Sequence, residues 1–172
     1  MIQIETTSHD PFFNQAFEDY VFRSFREEDI LLLWRNRPAV IVGCYQNICR
    51  EVHMRALLER SIPVVRRMSG GGTVYHDLGN LNYTLITDQH GGLDYDRCLA
   101  PVLQALRTLG VPAQKSRTCD IAVDGKKISG SAQKIANGRV LHHGTLLFDA
   151  DLSLLDEITT GRKNDAFCSK GT

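Results

Sequence analysis

The sequence predicts an α+β fold, with a mixed or antiparallel sheet packed against helices. Strand-like apolar runs and helical stretches do not alternate regularly, which argues against a doubly wound parallel sheet. Asp124-Gly125 and Asn137-Gly138 divide residues 119–149, and both dipeptides favour the tight turns of hairpins. Residues 11–25 and 95–109 carry apolar side chains at helical spacing. The chain has 172 residues, 42% hydrophobic and 23% charged, the size and composition of one globular domain.

Residues 2–6 read as a first strand. Asp10-Pro11 opens a helix, because Asp accepts from unpaired N–H groups and Pro has a helical φ and needs no acceptor. Phe13, Phe17, Tyr20, Val21 and Phe25 follow as the apolar side of an amphipathic helix. Residues 30–34 and 39–43 are short apolar runs separated by Arg35-Asn36-Arg37-Pro38, which predicts two buried strands joined by a tight turn. A helix at about 51–60 precedes a strand at Pro63-Val64-Val65, a glycine-rich loop, and strands near 73–76 and 81–87. Leu99, Val102, Leu103, Leu106 and Leu109 mark the next helix, and Gly110 is suited to end it. Residues 119–149 read as several short strands, and Asp151 begins a last short helix.

Twenty Lys and Arg balance twenty Asp and Glu, which argues against a dedicated nucleic-acid binder. No apolar run approaches the roughly 18 residues of a membrane span. Met1-Ile2-Gln3-Ile4-Glu5 has neither the basic nor the apolar region of a signal peptide, so none is expected. Five cysteines at irregular spacing read as reduced thiols of a cytoplasmic protein. Cys44 and Cys49 are expected to be small buried apolar residues.

The strongest chemical signal is Arg66-Arg67-Met68-Ser69-Gly70-Gly71-Gly72-Thr73-Val74-Tyr75-His76-Asp77. Successive glycines let the backbone approach a ligand, and two arginines offer planar charged donors to phosphate or carboxylate. The segment lacks the Gly-Lys-Ser/Thr of a P-loop and the Gly-x-Gly-x-x-Gly of a dinucleotide fold. The alternative is a plain turn with solvated arginines.

A second segment runs from Asp124-Gly125-Lys126-Lys127 through Ser129, Ser131 and Gln133. Strand alternation puts Lys126 and Lys127 on opposite faces, and groups Lys127 with Ser129, Ser131 and Gln133. In His142-His143-Gly144-Thr145 the histidines should likewise diverge, one packed and one exposed, so no shared metal is expected. Asp77 and Asp120 are lone carboxylates that suit either a metal-bound nucleotide or a turn.

In order and spacing these segments resemble the lipoate-protein ligase family of the biotin/lipoate ligase superfamily. The match comprises 66–80, Lys127-Ile128-Ser129-Gly130-Ser131-Ala132, His142-His143-Gly144-Thr145-Leu146-Leu147, and Val42-Gly43 with Gln46-Asn47 and Glu51. The resemblance implies a class II synthetase-like fold and a two-step reaction. Lipoate and ATP, with Mg2+, form lipoyl-adenylate. The lipoyl group then passes to a lysine of a carrier domain, such as a 2-oxoacid dehydrogenase E2 or the glycine cleavage H protein. It further implies that Lys127 is the catalytic cation, staying protonated to contact carboxylate and phosphate oxygens. Nucleotide would be held by Arg67, Gly72, Thr73, Val74, Tyr75, Lys127 and Asp120, the last also influencing Mg2+. Lipoate would be held by Arg67, Ser69, Gly70, Gly71, His76, Lys127 and His143, with strands 39–43 and 81–87 walling its apolar pocket. No resident metal or tightly bound cofactor is implied.

Cys44 and Lys134 stand where family members often carry Arg, and a lysine there is seen in the mitochondrial lipoyltransferase branch. The family's catalytic domain continues beyond the point where Lys170-Gly171-Thr172 ends this chain, so residues 1–172 are expected to be one catalytic domain lacking its C-terminal part and any accessory domain. Competing readings are an octanoyl or lipoyl transferase using Cys168 as nucleophile, a biotin-protein ligase, and a non-catalytic fragment that binds lipoate or its carrier.

Overall fold

The structure, a computed structural model, describes residues 1–159. Its elements are β1 (Ile2–Glu5), α1 (Pro11–Ser24), β2 (Ile30–Trp34), β3 (Ala39–Val42), α2 (Ile48–Glu51), α3 (Met54–Glu59), β4 (Val64–Arg66), β5 (Val74–His76), β6 (Asn80–Asp88), α4 (Tyr95–Thr108), β7 (Gln114–Lys115), β8 (Asp120–Val123), β9 (Lys126–Ala136), β10 (Arg139–Leu147) and α5 (Leu152–Thr159). A large mixed sheet has the order β1-β2-β6-β10-β9-β8-β7, and a small one the order β4-β3-β5. Among the described residues, β1–β2 and β3–β4 are the only parallel pairs.

The expected α+β class holds, but several elements differ from the sequence reading. The helix expected at about 51–60 divides into α2 and α3. The strands at 30–34 and 39–43 are both present, yet they do not pair. β2 lies between β1 and β6, whereas β3 is the centre of the small sheet. Their connection is a tied corner: Asn36 is buried, accepts from Asn14 Nδ2 at 2.9 Å and lies 3.1 Å from His76 Nδ1. Residues 119–149 are not all short strands: β8 has four residues, but β9 and β10 make a hairpin of 11 and 9 residues. Both predicted turns are present, with φ of 49° and 74° at Asp124-Gly125 and 52° and 75° at Asn137-Gly138.

Helix α1 starts as predicted, with Asp10 Oδ1 accepting from the N–H groups of Phe12 and Phe13. Its buried face is rotated from the expected one: Val21 is buried and Phe17 and Phe25 pack against the core as predicted, but the first and third apolar positions do not. Phe13 is 51% and Tyr20 61% exposed, while Asn14, Gln15 and Glu18 are buried beside Val21 and Phe22. The buried polar groups have specific partners: Asn14 Nδ2 donates to the carbonyls of Ser8 and Arg35, and Glu18 accepts from Thr84. Phe13→Ser should therefore shift stability by only about 0.5 kcal/mol. Asn14→Leu should cost about 1–3 kcal/mol, because it strands buried carbonyls. Urea midpoints of the two variants check this rotation.

Candidate active site

Between the two sheets lies a cavity of about 320 Å³. The glycine-rich loop contributes Gly71, Gly72, Thr73 and Val74; β9 and its neighbours contribute Asp120, Lys127, Gly130 and Ala132. Gln15, Trp34, Ile41, His76 and Asn82 supply further walls, and His143, Gly144 and Thr145 complete the β10 side. Ile41 and Asn82 come from the two strands expected to wall an apolar pocket, whereas the actual lining mixes apolar and polar groups.

Lys127 reaches this cavity through a break in strand alternation. Asp120 pairs with Gly130 and Ile121 with Ser129, but Ala122 pairs with Lys127, so Ile128 is an extra residue on β9. The bulge separates Lys127 from the predicted Ser129–Ser131–Gln133 row. Instead its side chain lies over Gly130, where an added Cβ would come within 2.9 Å of Nζ. Lys127 Nζ stands 2.8 Å from Asp120 Oδ1, with the lysine side chain 57% exposed and the aspartate 8% exposed. The pair thus joins buried protein to open solvent.

Arg67 is almost wholly buried and shapes the loop. Its Nε donates to Ser69 Oγ at 3.1 Å, and Nη2 donates to the carbonyls of Gly70 and Gly72 at 2.7 Å each. Burial lowers its pKa to about 10, with the Glu18 carboxylate opposing that shift, so it remains a cation at neutral pH. Arg66 does not face the cavity's ligand space: its Nη1 donates to the carbonyls of Gly43 and Gln46 at 2.8 and 2.9 Å. A Cβ on Gly43 would run into the Gly71 carbonyl, and Gly71 has a φ of 91° that residues with side chains rarely adopt. Gln46 joins the same corner, its Oε1 accepting from Gly43 N at 2.8 Å and Thr73 Oγ1 at 3.0 Å.

Of the residues singled out from the sequence, Arg67, Gly71, Gly72, Thr73, Val74, His76, Asp120, Lys127 and His143 line the cavity. Ser69 and Gly70 do not; Ser69 is buried behind the wall, 2.6 Å from His143 Nε2. The Tyr75 side chain points away, into a core with Val40, Val42 and Leu57, where burial pushes its hydroxyl to about 12. Asp77 is a turn residue, accepting from Gly79 N and Asp151 N. His142 and His143 diverge as expected, but both are buried. Cys44 is only partly buried and Cys49 is exposed, contrary to expectation. Cys168 lies outside the described residues.

Gln15, Trp34 and Cys119 line the cavity without having been singled out. Gln15 was hidden because it is a polar residue on the buried side of α1. Only the fold brings Trp34, at the end of β2, against His76, with ring centroids 5.9 Å apart.

Burial and the nearby Arg67 lower the His76 pKa to about 3, and burial lowers that of His142 to about 3. Both are therefore neutral at pH 7 in the fold, whereas an unfolded histidine titrates near 6.5. Below that value the unfolded chain binds more protons, so stability falls as pH drops toward the folded values and is unaffected above it. The slope is about 1 kcal/mol per pH unit for each histidine. Urea midpoints between pH 7 and 5 should fall, and His142→Gln should reduce the slope by about half.

Asp120 is the sole carboxylate lining the cavity among the described residues, and these contain no group of three potential metal ligands. One carboxylate fits a Mg2+ ion held mainly by substrate phosphates and water, and does not build a protein cage.

A mixed sheet in which a bulged strand and its neighbour turn a lysine and a carboxylate toward a cavity closed by a glycine-rich loop defines a domain of the biotin/lipoate ligase fold. Solved structures, lipoate-protein ligases among them, share it. P. falciparum LipL1 in complex with lipoate has a TM-score of 0.87 and 29% identity, covering 93% of this chain and 52% of its own. A bipartite lipoate protein ligase from Thermoplasma acidophilum, studied with its E2 lipoyl domain, has a TM-score of 0.84 and 30% identity, covering 91% and 64%. A lipoate-protein ligase A bound with ATP has a TM-score of 0.82 and 27% identity, covering 96% and 73%. The chain belongs to the lipoyl protein ligase A/B catalytic domain family, whose profile matches residues 10–172. It is 44% identical over 168 residues to lipoate-protein ligase LplJ of Bacillus subtilis, a match covering 95% of this chain and 50% of that protein. The chain thus spans about half the length of the curated relatives it matches.

Proposed function

We propose that this domain is a lipoate-protein ligase that activates lipoate with ATP and transfers the lipoyl group to a carrier lysine. The observation that carries the reading is Lys127 Nζ held 2.8 Å from Asp120 Oδ1 where the cavity opens to solvent. Structurally similar proteins holding lipoate or ATP support it.

In the first step the lipoate carboxylate attacks the α-phosphorus of ATP and pyrophosphate leaves. Two anions must approach, and Lys127 is the exposed cation placed to lower their repulsion. Arg67, turned onto the carbonyls of Gly70 and Gly72, holds the loop in shape before substrate arrives. Asp120 orients the ammonium, and is the residue that would share a Mg2+ ion with the nucleotide phosphates. In the second step the carrier amine attacks the acyl carbonyl, gives up a proton, and AMP leaves. Lys127 then stabilises the oxyanion. A 2-oxoacid dehydrogenase E2 or glycine cleavage H domain suits this step as acceptor, and the cytoplasm suits an ATP-dependent enzyme with free thiols. No helix among the described residues is long and apolar enough to cross a membrane.

Lipoate-dependent exchange of labelled pyrophosphate into ATP tests adenylation by residues 1–172 alone. Exchange is the expected result. Lack of exchange, with lipoylation of a carrier from preformed lipoyl-adenylate, would restrict the domain to transfer.

A further inference from the structure

Glu18 is a fully buried carboxylate for which the two-step reaction has no use. It accepts from Thr84 Oγ1, which in turn accepts from Trp34 Nε1 at 3.3 Å. On its other side it faces His143 Nδ1, with the two carboxylate oxygens at 2.9 and 3.0 Å. His143 Nε2 lies 2.6 Å from Ser69 Oγ, and that oxygen accepts from Arg67 Nε at 3.1 Å.

Proton positions in this chain follow from its ends. A carboxylate has only acceptors, so Nδ1 of His143 must carry a proton. A guanidinium has only donors, so Ser69 Oγ must accept from Arg67 and direct its own proton elsewhere. The Gly70 carbonyl is 3.4 Å from Ser69 Oγ and already receives Arg67, whereas His143 Nε2 is much closer. The Ser69 proton therefore belongs on the bond to Nε2. Serine, histidine and glutamate have here the order of a nucleophile, base and acid. Ser69 is nevertheless buried and off the cavity lining, so its hydroxyl has no path to a substrate.

We propose that Glu18 is a positioning residue: it holds His143 as the Nδ1–H tautomer, whose Nε2 accepts from Ser69 and so sets Arg67 and the glycine-rich loop. The relay joins α1, β6 and β10 to the loop, and it explains why α1 turns polar residues inward. Its structural part stands apart from the ligase reading; only its effect on turnover rests on that reading.

The test uses the whole chain labelled with 15N-histidine. Long-range proton–nitrogen spectra of wild type should show His143 with a protonated Nδ1 and a bare, accepting Nε2. An Nε2–H tautomer or an imidazolium would overturn the proposal, whether or not the protein is active. Glu18→Leu, which has no acceptor, should shift His143 toward the other tautomer, and Ser69→Ala should keep Nδ1–H while moving the Nε2 resonance. An unchanged tautomer in folded Glu18→Leu would also overturn it. Where wild type supports pyrophosphate exchange, both variants should lower kcat about tenfold or more, as loss of a supporting partner does elsewhere. Wild-type kcat in folded Ser69→Ala would show that the relay does not set the loop. Absent exchange in wild type would count against the ligase reading and leave the spectra to decide the relay.

Discussion

Lys127→Ala should abolish lipoate-dependent pyrophosphate exchange, by at least about a hundredfold, while leaving the fold intact. The size follows from the role: one preorganised donor at a developing anion is worth about a hundred- to a thousandfold in rate. The mildness toward stability follows from position. The lysine side chain is 57% exposed, so its ion pair with Asp120 is partly screened by water. Exchange rates and urea midpoints measured on one preparation separate the two effects. A variant that keeps exchange would remove Lys127 from the chemistry. Lys127→Arg should recover little, because a planar fork cannot replace a compact ammonium over Gly130.

Arg67→Met should act in the opposite way, costing about 3–5 kcal/mol of stability as well as activity. Arg67 is 7% exposed and is the buried cation that offsets the carboxylate of Glu18. Its removal leaves that carboxylate with neutral donors only, and frees the carbonyls of Gly70 and Gly72 from the guanidinium. Chemical denaturation should show the loss directly. A midpoint near wild type would mean that Arg67 acts only on ligand. Arg67→Lys should fall between, since an ammonium keeps the charge but cannot span Ser69, Gly70 and Gly72 at once.

Much of the site could be read along the chain because loops keep their chemistry local. Asp124-Gly125 and Asn137-Gly138 announced both hairpin turns, and the Gly70–Gly72 run announced a backbone built for close approach. Lys127 was found by its motif, but the face it occupies was not, because a bulge at Ile128 is a property of pairing with β8. Gln15 and Glu18 left no local signal. On α1 they look like a solvated face, and the burial of Glu18 depends on Thr84 and His143, 66 and 125 residues away.

The α+β class, the position of most strands and helices, the turns, and the identity of the loop and lysine are legible in the order of residues. These depend on dihedral preferences and on periodicity over a few residues, which any stretch of chain carries with it. Long-range packing parts β2 and β3 into different sheets, turns Asn14, Gln15 and Glu18 inward on α1, takes Tyr75 out of the cavity and brings Trp34 into it. Each of these rests on a partner distant in sequence. A polar group such as Glu18 can be buried only where donors from several elements converge, and an aromatic such as Phe13 remains exposed when those polar contacts have set the orientation of its helix.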